Sequence, residues 1–95
     1  MHNVTEIAPP PRVNLADIEK LITKVEYHVY AGRLTLCIIH LRNGFLCTGI
    51  SACADVRTFD KKIGEEMAYS DAIDKAWAVE GYLLMERMYR ARHPE

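Results

Sequence analysis

The chain has 95 residues, is 49% hydrophobic, and sets 12 Lys plus Arg against 13 Asp plus Glu for a formal net charge of −1. That is one domain of ordinary size, and the composition excludes a disordered tail, a collagen-like fibre and a low-complexity linker. The charge balance argues against bulk electrostatic capture of nucleic acid and leaves only a local basic cluster for that role.

Residues 1–13 contain Pro9-Pro10-Pro11, which favours extended backbone and withholds N–H donors, so they read as an N-terminal arm before a single α+β domain over 14–95. Asn14 is a good helix N-cap, and Leu15, Ile18, Leu21 and Ile22 follow at helical spacing with Asp17 in the first turn. They predict a short amphipathic helix over 15–23. The period then changes. Val25, Tyr27 and Val29 alternate with Glu26, His28 and Tyr30, which predicts a strand. Ala31-Gly32 reads as a turn, and 33–41 (RLTLCIIHL) reads as a central strand, apolar on both faces. Asn43-Gly44 suits a two-residue type I′ hairpin, with 45–52 returning as a third strand.

Two-residue turns fix a register, in which His40 opposes Cys47, Ile38 opposes Gly49, and Tyr27 opposes Leu36. One sheet face then carries Val25, Tyr27, Val29, Leu34, Leu36, Ile38, Cys47 and Gly49. The other carries Glu26, His28, Tyr30, Arg33 and Thr35 at one end and Ile39, Leu41, Leu46 and Ile50 at the other. Beyond Asp55 the period is helical again. Phe59, Ile63 and Met67 fall on one stripe, and Ile73, Ala76, Trp77, Gly81, Leu84 and Met88 on a second. Thr58 reads as a cap. Ser70-Asp71 reads as a second cap that makes either two helices or one kinked helix. Arg87, Arg90 and Arg92 suit a helix C-terminus, and Pro94 stops it. The expected architecture is α+β: a short N-terminal helix, a three-stranded antiparallel meander, and two C-terminal helices (or one kinked helix) packed on one sheet face.

No catalytic group is assigned. His40 opposite Cys47 is the most suggestive pair, but it has no orienting acid or oxyanion donors beside it, and buried cysteine is commonly a small apolar filler. No metal site or cofactor is read either, because the four His and three Cys are scattered without ligand spacing. Gly44, Gly49 and Gly64 form no phosphate-cradling loop; Gly49 reads as a close-packing position that could admit Trp77. Three cysteines without C-x-x-C, no basic-then-apolar start and no run of about 20 apolar residues set the expectation of a cytoplasmic protein with no membrane contact. Two surfaces remain. Glu26, His28, Tyr30, Arg33 and Thr35, joined by Arg87 and Arg90, are the candidate ligand or interface residues. Ile39, Leu41, Leu46 and Ile50 are the candidate oligomer patch, since small monomers seldom expose such an area.

One stretch carries a resemblance. L-R-N-G-F at 41–45, G-x-S-A-C at 49–53 and F-D-x-x-x-G at 59–64, followed by Ala68, Ala72, Trp77 and G-Y-L-L at 81–84, resemble a family of small proteins from tailed bacteriophages and prophages. Ala78 stands where that family often has Pro. The resemblance covers about half the chain and implies a phage or prophage origin and the host bacterial cytoplasm. It brings no catalytic residues with it. Together with the small size and the expected homo-oligomer, it sets the functional expectation of a non-enzymatic phage accessory protein. Such a protein would counteract a bacterial defence system by binding a defence protein or sequestering its nucleotide signal. The alternative is a nucleic-acid-associated or structural adaptor in phage replication or gene expression, working through the C-terminal arginines.

Overall fold

A computed structural model describes residues 12–94, so of the expected arm only Arg12 and Val13 fall within it. Helix α1, Leu15–Leu21, starts on a capping box: the Asn14 side chain accepts the Asp17 N–H at 3.0 Å and the Asp17 carboxylate accepts the Asn14 N–H at 3.1 Å. It ends at Leu21, short of the expected residue 23, because Ile22, Thr23 and Val25 open a β-branched run that suits a strand. Strands β1 (Ile22–Tyr30), β2 (Leu34–Leu41) and β3 (Leu46–Ala52) form the expected antiparallel meander in the order β1-β2-β3.

The register differs from expectation by one residue. Asn43-Gly44 does not make a two-residue turn. Gly44 alone takes positive φ (91°), its N–H bonds the Leu41 carbonyl at 2.9 Å, and the Leu41 N–H bonds the Phe45 carbonyl at 2.9 Å. The loop is therefore three residues, Arg42 to Gly44, closed by a glycine bulge. Asn43 accepts the Phe45 N–H on its side chain instead of adopting positive φ itself. Cys47 thus pairs with Ile39, Gly49 with Cys37 and Ser51 with Thr35. In the first hairpin Ala31 (φ 55°) and Gly32 (φ 63°) do form the turn, closed by the Arg33 N–H to the Tyr30 carbonyl at 3.1 Å. Arg33 is then left over as an extra residue, and the first strand pair is Tyr30 with Leu34. Because strand side chains alternate, one residue of slip inverts β2. Thr35, Cys37, Ile39 and Leu41 face inward, while Leu34, Leu36 and Ile38 face outward.

Helix α2 spans Lys61–Arg92, 32 residues without a break, so the single-helix alternative holds and Ser70-Asp71 is not a second start. Asp60, not Thr58, is its cap, accepting the Ile63 N–H at 3.1 Å. Asp71 is occupied elsewhere: its carboxylate accepts the Ile50 N–H at 2.9 Å, while Lys75 Nζ donates to the Thr48 carbonyl at 2.9 Å. Two of the outward-pointing backbone groups of edge strand β3 are satisfied this way, which blunts that edge against a further strand.

The helix meets the sheet through small residues. Gly64, Ala68, Ala72, Ile73 and Ala76 are buried against the inward face of β2 and β3, with Ile18 of α1 completing the core and Val13, Leu21, Val25 and Tyr69 packed around it. At Gly49 a Cβ would run into the Ala68 carbonyl and the Ala72 amide nitrogen, and would stand 2.9 Å from the Ala72 Cα. Helix backbone lies on strand backbone there, so the neighbour of Gly49 is α2 itself and not Trp77. The expected large-residue stripe is displaced accordingly, with Ile63 53% and Met67 59% exposed.

Candidate functional site

With α2 on one side, the other face of the sheet is open. It carries Leu34, Leu36 and Ile38 from β2, Leu46 and Ile50 from β3, and Lys24, Glu26, His28 and Tyr30 from β1. Leu46 and Ile50 are 50% and 55% exposed on this face. Ile39 and Leu41 are not part of any surface: at 0% and 4% exposed they lie under α2, and Leu36 and Ile38 take their place. The shifted register is the cause.

The polar end of this face holds a cluster that linear spacing did not show. Glu26 accepts from Nε2 of His28 at 3.2 Å on one carboxylate oxygen and pairs with His40 Nε2 through the other; Lys24 Nζ stands at 3.4 Å. The His40 hydrogen bond first, then that of His28, holds the Glu26 carboxyl below its ordinary value. His40 points to the open face and Cys47 to the core, so the cysteine–histidine pair considered from sequence does not form. Burial pushes the Cys37 and Cys47 thiols up, as suits packing groups rather than thiolates.

The remaining candidates separate. Tyr30 is half-exposed on the open face, beside His28 with ring centroids 6.5 Å apart. Arg33 sits past the first turn and donates to the Ala54 carbonyl at 3.3 Å, while Thr35 is fully buried on the helix side. Arg33 and Thr35 come together in a different place, a cavity of about 200 Å³ where β2, β3 and the start of α2 meet, also lined by Ser51, Phe59, Ile63 and Met67. Arg87 and Arg90 lie in the last turns of α2, and Arg90 is ion-paired with Glu86 at 3.0 Å. A 29-residue helical separation from Lys61 to Arg90 is roughly 44 Å, so Arg33 and Arg90 of one chain do not share a ligand. Of this cavity the sequence offers only Arg33 and Thr35 as candidates; Phe59 and Gly64 are among the lining residues it does not single out as a site. Their only sequence signal was the F-D-x-x-x-G spacing, which places glycine one turn into the helix after its Asp60 cap.

Fold and surfaces together define a small α+β module with one sheet face covered by a long helix and the other open. Residues 13–88 match the phage protein family of N4 Gp49 and phage Sf6 gene 66, and the chain belongs to that family. The match extends through α1 and β1, beyond the motifs at 41–84 that carried the resemblance. No curated protein and no solved structure matches the chain. Among the described residues, no helix is long and apolar enough to cross a membrane.

Proposed function

We propose that this protein is a non-enzymatic phage accessory protein that acts in the host bacterial cytoplasm and counteracts a defence system by binding a defence protein through its open sheet face. The observation that carries this reading is the uncovered aliphatic surface of Leu34, Leu36, Ile38, Leu46 and Ile50, bordered by the Glu26, His28 and His40 cluster. Apolar patches rimmed by polar groups of this kind are where proteins dock. Of the two modes expected, protein contact is favoured over nucleotide sequestration within one chain, because Tyr30 and Arg33 lie far from Arg90. Trp77, Tyr82, Met85 and Tyr89, exposed along α2, support self-association through the helix, which leaves the sheet face to the partner. The nucleic-acid alternative draws on Arg87, Arg90 and Arg92, and the net charge of −1 lends it no wider basic field.

The test is a plaque assay in bacterial hosts that each carry one defence system, challenged with a phage which that system restricts. Expression of the protein restores plaquing on at least one such host, and Leu36→Asp with Ile50→Asp abolishes the effect while the thermal melt is kept. No restoration on any host, or full activity of the double variant, overturns the reading.

A further inference from the structure

We infer that the cavity at the junction of β2, β3 and the start of α2 is a binding site for a small monocarboxylate with an apolar body. It lies on the helix side of the sheet, away from the open face, and is independent of the function proposed above. Its inner end holds a fully buried hydroxyl, Thr35 Oγ1, which has no hydrogen-bond partner among the described residues. An unpaired buried hydroxyl is a standing cost that valine, of nearly the same shape, would avoid. Gly64 brings the start of α2 close to it: a Cβ there would stand 2.7 Å from Thr35 Oγ1 and 3.7 Å from the Phe59 ring.

The charges at the site point to an anion of one charge. The Arg33 guanidinium lines the cavity with a single hydrogen bond, to the Ala54 carbonyl, and no carboxylate within ion-pair distance among the described residues. Asp60 lines it too, but its carboxylate accepts the Ile63 N–H and so is matched to the positive end of α2. A second negative group on the cavity wall disfavours a dianion such as phosphate. The walls are Phe59, Ile63 and Met67, the last two half-exposed although each is large and apolar. A ring or branched chain between them sets its carboxylate toward Arg33 and the hydroxyls of Thr35 and Ser51, which line the same cavity.

The experiment is an amide NMR titration of the full chain with benzoate, alongside benzamide and inorganic phosphate. Benzoate moves the Arg33, Thr35 and Gly64 amides saturably, and Arg33→Met weakens its binding about tenfold, the loss of one charge-assisted contact. Thr35→Val melts no lower than the wild type without benzoate and binds benzoate more weakly; a merely structural hydroxyl would lower the melt instead. Leu36→Asp with Ile50→Asp binds benzoate like the wild type, which separates this site from the open face. No saturable shift, an undiminished affinity in Thr35→Val, or equal binding of phosphate or benzamide overturns the inference.

Discussion

Replacing Gly49 by alanine tests the central packing feature of the fold. The added methyl meets the Ala68 carbonyl, the Ala72 amide nitrogen and, at 2.9 Å, the Ala72 Cα, all of them backbone. No rotamer change relieves such a contact. Carbon atoms rest at roughly 3.5–4.0 Å, so the helix must retreat by about 1 Å, and a gap of that size forfeits about a quarter to a half of each lost contact. The loss runs along Gly64, Ala68, Ala72 and Ala76 on the helix and Thr35, Cys37 and Cys47 on the sheet, which belong to the buried core. Overpacking costs about 1–3 kcal/mol in ordinary cores, and with only backbone to yield the expected value is the upper end, about 3 kcal/mol. At roughly 4–8 °C per kcal/mol for a domain of this size, the melting temperature falls by about 12–24 °C. Gly81→Ala is the control. Nothing lies within 4 Å of its added Cβ, and replacing a helical glycine gains about 0.5–1 kcal/mol. Urea denaturation of both variants decides the matter. A Gly49→Ala protein within about 1 kcal/mol of wild type would refute the backbone-on-backbone contact.

Asp71→Ala with Lys75→Ala uncovers the Ile50 N–H and the Thr48 carbonyl on the β3 edge, and the variant is expected to aggregate with rising concentration in light scattering while the wild type does not. Acid should weaken the fold through Glu26 and Asp71. His40 chiefly lowers the first, and the Ile50 N–H, then Lys75, the second, so the native chain binds fewer protons than the unfolded one. Their stabilisation is complete above about pH 5 and is lost as pH falls through folded values below 4.5 and 3.8. Melts across this range are expected to fall less steeply for Glu26→Gln with Asp71→Asn; equal slopes would dismiss the assignment. Iodoacetamide under native conditions should label partly exposed Cys53 before buried Cys37 and Cys47, with all three reacting in urea, as intact mass reports.

The element order was legible because each signal was local: the Asn14 cap, the alternation through 25–30, the turn at Asn43-Gly44 and the helical period after Asp60. The register was not. Asn-Gly serves both a two-residue turn and a three-residue loop with a glycine bulge, and only the second leaves Asn43 outside the positive-φ region. That one residue moved Thr35, Ile39 and Leu41 from the open face to the core, and with them half of the expected oligomer patch. Hydrophobic periodicity also misplaced the buried stripe of α2, because it weights Ile63 and Met67 above glycine and alanine. The four-residue spacing of Gly64, Ala68, Ala72 and Ala76 was in the sequence, but its meaning depends on the facing Gly49, fifteen residues before Gly64. The cavity that unites Arg33 with Thr35, Phe59 and Gly64 depends on the same register, so no local pattern announced it.

Helix α2 is roughly 48 Å long, whereas the eight-residue β2 extends about 27 Å, and no described residue after Ala76 is fully buried. Amide hydrogen exchange should therefore be graded along one continuous helix. Amides between Gly64 and Ala76 exchange only when the whole domain opens, while those beyond Met85 open by fraying from the C-terminus at far lower free energy. The molecule is in this sense two units of cooperativity within a single element of secondary structure. Anything that clamps the distal turns would slow exchange there and leave the protected segment unchanged, which gives contacts made by Tyr82 to Tyr89 a signature of their own.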